Sequence, residues 1–229
     1  MKIGFFGKLP SYGDFIQRNV SPEIAEYWDN WILQAMEHAK SDLDSQWKEC
    51  YFTSPIWRFH LQSGVVCENT LSGLMMPSID SMGRCYPFFV VCCFDAKSDV
   101  IKLASMIDDC HAKCEELILQ LLGQERPDLD QVCSEIGKCY RGIVKQHVPK
   151  SQPSPVLTLN EIYQYDGDAS DNLTQVNEHF LSHCVSRQFA SLSIFSRAQS
   201  HNIHAQYRYY DGMPNALAYS SFLGDNLPK

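Results

Sequence analysis

Residues Leu71 to Phe94, LSGLMMPSIDSMGRCYPFFVVCCF, constrain this chain more than any other stretch. Leu74 to Ile79 is an apolar run. It stops at the polar turn Asp80-Ser81-Met82-Gly83. Tyr86 to Phe94 is a second apolar run, rich in aromatic and β-branched residues. The pattern reads as strand, tight turn, strand. Gly83 supplies a positive φ that other residues adopt only at a cost. Asp80 is able to accept amide protons of the turn, and Arg84 to fork onto a carboxylate. Pro77, Ser78 and Pro87 flank the turn. Two roles fit these residues: stapling a hairpin between core strands, or recognition of a partner.

Around the hairpin, 229 residues suit one large domain or two small ones. We read one, 1–229, with a linker-like PKSQPSP at Pro149 to Pro155. Acidic residues outnumber basic ones 27 to 19, a net charge of −8, which argues against nucleic acid as a partner. The chain has no run of 18 apolar residues, and its start MKIGFFGKLP lacks the apolar core of a signal peptide. The expectation is a cytoplasmic protein without membrane insertion. Its ten cysteines then read as reduced, mostly buried thiols.

Lys2 to Phe6 reads as a strand and Gly7 to Asp14 as a loop, in which Lys8 and Asp14 are polar residues within reach of a partner. Ser21-Pro22-Glu23 starts a helix, with Ile24, Tyr27, Trp28, Trp31, Ile32 and Ala35 at helical spacing. Asp42 to Tyr51 reads as a second short helix. Ile56 to Leu61 alternates, with Trp57, Phe59 and Leu61 on one face and Ile56, Arg58 and His60 on a wet or ligand-facing one. Helices are expected at Ala104 to Leu122, with a stripe through Met106, Cys110, Cys114, Leu117, Leu121 and Leu122, and at Leu129 to Val144 and Asp171 to Ser186. Strands are expected at Val156 to Leu159, Phe189 to Phe195 and Ile203 to Tyr209. Interleaved helices and strands predict a single α/β domain of three layers, α/β/α, with a mixed, partly antiparallel sheet.

Recognised catalytic spacings are missing. There is no G-x-x-x-x-G-K-[ST], no G-x-G-x-x-G, no G-x-S-x-G and no C-x-x-C. His179 and His183 stand four apart on a predicted helix, without the glutamate of H-E-x-x-H. No metal and no cofactor is expected. Two classes of function remain. A binding protein would show an exposed apolar patch. An enzyme would gather Asp14, Asp80, Arg84 and Arg58 around a pocket. In either case the loops Gly7 to Phe15 and Asp80 to Pro87 are expected to meet, with Arg84 or Arg58 bridging to Asp14 or Asp80.

Four motifs carry a family resemblance. Gly4-Phe5-Phe6-Gly7-Lys8-Leu9-Pro10-Ser11-Tyr12-Gly13-Asp14-Phe15 resembles the GFYGKLPxxGDF opening of the TagF (ImpM) proteins of bacterial type VI secretion. So do Trp28-Asp29-x-Trp31, Ser54-Pro55-Ile56-Trp57-Arg58-Phe59, and the G-x-x-x-P-S-x-D-x-x-G-R-x-Y-P-F of Gly73 to Phe88. The motifs fall in family order within residues 3 to 94. The resemblance implies a non-catalytic, post-translational repressor of secretion. Such a repressor binds the system's forkhead-associated-domain scaffold protein, in a pathway that also uses a Ser/Thr kinase and phosphatase. It marks Lys8, Pro10, Gly13, Asp14, Trp28, Trp57, Arg58, Pro77, Ser78, Asp80, Gly83, Arg84 and Pro87 as motif residues for structure or recognition.

Overall fold

The computed structural model describes residues 1–96, 98–141, 181–182, 184–185, 188–199 and 204–223. Among them run β1 (Lys2–Gly7), β2 (Ile16–Arg18), α1 (Pro22–Leu43), α2 (Trp47–Thr53), β3 (Trp57–Leu61), β4 (Thr70–Met76), β5 (Phe88–Phe94), α3 (Val100–Leu121), α4 (Leu129–Cys139), β6 (Leu192–Arg197) and β7 (Gln206–Asp211). The strands form one seven-stranded sheet in the order β2-β1-β5-β4-β3-β6-β7.

Every neighbouring pair of this sheet is antiparallel, which corrects the mixed sheet expected from the interleaved elements. The physical reason is connection length. β1–β2, β3–β4 and β4–β5 are each joined by a connection without a helix, and such a return reverses the chain. Among the described residues the helices stand between strands that are not sheet neighbours, so no parallel βαβ pair arises there.

β5 shows how the sheet divides the core. Phe88, Val90, Cys92 and Phe94 pack with Leu103, Ile107, Cys114 and Ile118 of α3 and Val132 and Ile136 of α4. Phe89 and Val91 turn the other way, toward Trp28, Trp31 and Ile32 of α1. Trp28 is fully buried, with ring centroids 4.8 Å from Phe59 and 4.9 Å from Phe89. α1 begins at Pro22 with Ser21 in the N-cap position, although the Ser21 hydroxyl caps nothing.

The first-half elements fall close to expectation. The second short helix starts at Trp47, after a 3₁₀ turn at Asp44–Gln46. The buried stripe of α3 runs Leu103, Ile107, His111, Cys114, Ile118 and Leu121. It is rotated from the expected stripe, because His111 takes the core position in place of Cys110. β3 has no wet side: all five residues are buried, Arg58 and His60 beneath α3. The predicted linker at Pro149 to Pro155, the strand Val156 to Leu159 and His179 and His183 lie outside the described residues.

Candidate functional site

The hairpin turn and the N-terminal loop meet at one carboxylate. β1 pairs with β5 so that Gly7 lies opposite Phe88, and this register carries Lys8 to the base of the turn. Lys8 Nζ reaches Asp80 Oδ2 at 2.9 Å, and both side chains are buried. Arg84 Nε donates to the same oxygen at 2.7 Å. The amides of Met82 and Arg84 donate to Oδ1 at 3.0 and 2.9 Å. The loops also join through main chain: Ser81 N–H donates to the Tyr12 carbonyl at 2.9 Å, and Arg84 Nη2 to the Gly13 carbonyl at 2.8 Å. Burial opposes the charge on Asp80. The Lys8 ammonium, the Arg84 amide and guanidinium and the Met82 amide outweigh it and hold the carboxyl well below the usual carboxylate range.

The two loops meet as expected, but the expected bridge does not join them: Arg84 and Asp80 pair within one turn, and the loops are linked by Lys8 to Asp80 and by Arg84 to the Gly13 carbonyl. Arg58 and Asp14 take no part. Arg58 lies under α3, where Nε and Nη2 fork onto Glu115 at 2.6 and 3.0 Å, and Nη1 donates to Asp108. Burial disfavours its charge, but the two carboxylates keep the guanidinium protonated. Asp14 is exposed at the loop end. The four residues of the enzyme reading therefore do not surround one pocket.

Beside Arg58 sits a polar group that the sequence does not announce. Ser72 Oγ lies 2.8 Å from His60 Nδ1 and 3.3 Å from His111 Nε2, with the two imidazoles stacked at 5.2 Å. All three residues are buried. Burial first, then the nearby Arg58, pushes His60 down to about 3. Burial, His60 and Arg58 likewise hold His111 well below the ordinary range. Both rings are neutral at pH 7. The alternation of β3 puts His60 on the Arg58 face, but the burial of that face comes from a helix fifty residues later.

A cleft of about 290 Å³ opens next to the loops, lined by Pro10, Phe52, Ser54, Ile56, Met76, Pro77, Ser78, Ile79, Leu119 and Leu122. Among the described residues no charged side chain lines it. Phe52 is 54% exposed and Leu119 52%, so its rim is apolar and open to solvent. Ser78 is pinned by its main chain: Tyr51 Oη donates to the Ser78 carbonyl at 2.8 Å and accepts from the Ser78 amide at 3.0 Å. Phe52 and Leu119 belong to no motif, and their exposure has no signal in sequence period.

The remaining motif residues are structural or peripheral. Trp57 Nε1 donates to the Phe222 carbonyl at 2.9 Å, and its ring stacks under Arg208, whose guanidinium carbon is 4.8 Å from the ring centroid. Pro87 is buried, with its carbonyl 2.2 Å from where a Cβ on Gly7 would fall. Gly13 and Gly83 are exposed in the turns. Among the described residues no group of His, Cys, Asp and Glu is arranged to hold a metal, and no helix is long and apolar enough to cross a membrane.

The family model of the TagF N-terminal domain, type VI secretion system-associated, matches residues 4–137. A crystal structure of PA0076 from Pseudomonas aeruginosa PAO1 superposes with a TM-score of 0.74 at 27% identity, over 99% of this chain and 97% of that one. No curated protein matches. The chain belongs to the TagF family of type VI secretion system-associated proteins.

Proposed function

We propose that this protein acts in the cytoplasm as a non-catalytic repressor of a type VI secretion system, by binding the system's forkhead-associated-domain scaffold protein. One observation supports binding over chemistry. The polar motif residues do not converge on a pocket: Asp80 is saturated by Lys8, Arg84 and turn amides, and Arg58 is saturated under α3. The nearby cleft is apolar, with Phe52 and Leu119 exposed at its rim. A reaction site needs convergent polar groups, whereas an open apolar surface suits contact with another protein. The class of partner comes from the family resemblance, and a net charge of −8 fits a protein better than nucleic acid.

The test is calorimetric titration of the purified protein against the scaffold, with secretion measured in cells that overproduce it. Binding at or below the order of 10 µM, with secretion falling in proportion to the amount made, is the expected result, because sequestration follows mass action. Absence of heat and of co-elution, together with undiminished secretion, overturns the proposal.

A further inference from the structure

The two ends of the sheet are unequal. At one, β2 is three residues long and gives way to Asn19 at a φ of 56°, so it offers little edge to a further strand. At the other, among the described residues, β7 is a full strand of six. It pairs one-to-one with β6 from Gln206 to Asp211, without a bulge. Its sequence QYRYYD holds no proline or lysine, so it lacks the devices that blunt an edge. All six residues of β6 are buried. Every residue of β7 is at least partly exposed, with Tyr207 at 67% and Tyr209 at 54%.

The register fixes which main-chain groups lie open. Gly212 N–H donates to the Ser191 carbonyl at 2.6 Å. Alternation from that pair makes Tyr210, Arg208 and Gln206 the residues bonded to β6. The amides and carbonyls of Tyr207, Tyr209 and Asp211 therefore point away from β6, and among the described residues no strand takes them. We propose that a second copy of this chain does. Two β7 strands pair antiparallel about a two-fold axis at Tyr209, joining the sheets of both copies into one.

Self-complementarity selects this occupant and this register. With the axis at Tyr209, that residue faces its counterpart, Tyr207 faces Asp211 and Arg208 faces Tyr210. Every outward amide and carbonyl of Tyr207, Tyr209 and Asp211 then finds a partner, and no like charges meet. An axis at Arg208 would oppose two guanidinium side chains and set Asp211 against Ala205, beyond the strand. Tyr207 and Tyr209 share a sheet face with Ser196 and Ile194, their partners on β6, so their exposed rings form one cross-strand row at the joint. Charge permits the approach. The chain carries −8 in all, but residues 188–199 and 204–223 hold two cations, Arg197 and Arg208, against one acid, Asp211. The acidic surplus that would drive two copies apart lies outside these segments.

The test is sedimentation velocity of the full chain, kept reduced, from about 1 to about 100 µM. The expected result is a concentration-dependent shift from the mass of one chain to that of two. Tyr209→Pro removes the central outward amide without taking a bond from the β6 ladder. It should weaken dimerisation by about tenfold or more, with an unchanged circular dichroism spectrum. Tyr209→Cys reads the register even if the proline variant fails to fold. Residues across a hydrogen-bonded pair sit about 5.5 Å apart, within disulfide reach. Oxidised glutathione should then link residue 209 to residue 209 of the second copy, as mapped by mass spectrometry. Tyr207→Cys, whose counterpart lies out of register, should give no such self-link. A chain that stays monomeric at about 100 µM, a dimer that a folded Tyr209→Pro leaves intact, or a self-link at 207 instead of 209 overturns the proposal.

Discussion

Truncating Asp80 to alanine should be among the costliest single changes outside the aromatic core. The carboxylate carries two cations on Oδ2, Lys8 at 2.9 Å and Arg84 at 2.7 Å, and two turn amides on Oδ1, Met82 at 3.0 Å and Arg84 at 2.9 Å. The cations respond differently to its loss. Arg84 has 59% of its side chain exposed and rehydrates, whereas the Lys8 side chain is 8% exposed and is left as a buried charge without its partner. Breaking a buried pair on one side costs about 3–5 kcal/mol. Losing only the exposed partner, as in Arg84→Ala, costs about 1 kcal/mol or less.

Urea unfolding followed by circular dichroism measures this. Asp80→Ala should lower the midpoint by about 1–2 M with an unchanged slope. Lys8→Met in the Asp80→Ala background should recover part of the loss, because it removes the stranded charge. The carboxyl titrates below its unfolded value of about 3.9, so its stabilisation is present above that value and lost as the pH falls through the lower folded value. The gap between parent and variant should thus stay constant from pH 8 to about 5 and close only in stronger acid. A loss under about 1 kcal/mol, or a double variant as unstable as the sum of the singles, refutes the account.

The Arg58 cluster predicts a similar asymmetry. Glu115→Ala, which removes a fork from a buried guanidinium, should cost about 3–5 kcal/mol, and Asp108→Ala, whose side chain is 64% exposed, about 1 kcal/mol or less, both read by urea midpoints. His60 and His111 have depressed folded pKa values, so the unfolded chain takes up protons first; stability is complete above about pH 6.5 and falls toward His60's value of about 3 by up to about 1.4 kcal/mol per pH unit for each ring. Equal unfolding midpoints at pH 7 and 5 would contradict that. Gly83→Ala should cost only about 1–2 kcal/mol, because its φ is +76° but nothing lies within 4 Å of a new Cβ. Gly73→Ala should abolish soluble protein, because its Cβ would meet the Val90 carbonyl at 1.9 Å and the Phe59 ring at 2.6 Å. Phe52→Ser with Leu119→Ser should weaken scaffold binding by about tenfold or more while leaving the unfolding midpoint within about 0.5 kcal/mol of the parent.

What sequence reading reached was local. The hairpin turn and the Trp28 stripe are written in neighbouring residues, as turn chemistry and helical period. The buried partner of Asp80, Lys8, is not. It depends on β1 meeting β5 with Gly7 opposite Phe88, a register that no period encodes, and that register brings Lys8 to Asp80 instead of Arg58. Arg58 and His60 on an alternating strand read as a wet face. In the middle of a seven-stranded sheet that face is covered, and the acids that neutralise Arg58 arrive 50 and 57 residues later, on α3. The stripe of α3 was misplaced because apolar residues fill two adjoining stripes, Met106 beside Ile107 and Leu117 beside Ile118, and contact with Ser72 rather than period decides that His111 goes inside.

This division bears on where binding is to be sought. Of the motif residues, Lys8, Trp28, Trp57, Arg58, Asp80 and Pro87 are buried, and all but Pro87 have a packing or charge role that explains the residue type. Gly13, Asp14, Gly83 and Arg84 face solvent, and Pro10, Pro77 and Ser78 line the apolar cleft. The motifs thus shape the cleft from one side, and its exposed rim is completed by Phe52 of α2 and Leu119 of α3, outside the motifs. If the cleft holds the proposed scaffold protein, the rim residues outside the motifs are the ones expected to set which scaffold is bound, since specificity is a difference between affinities. Exchanging residues 52, 119 and 122 between two members should then transfer partner preference, while exchanging the motif loops should leave it unchanged. Calorimetry of the two chimeras against both scaffolds separates these outcomes, and a preference that travels with the loops would place recognition at Gly13, Asp14 and Arg84 instead.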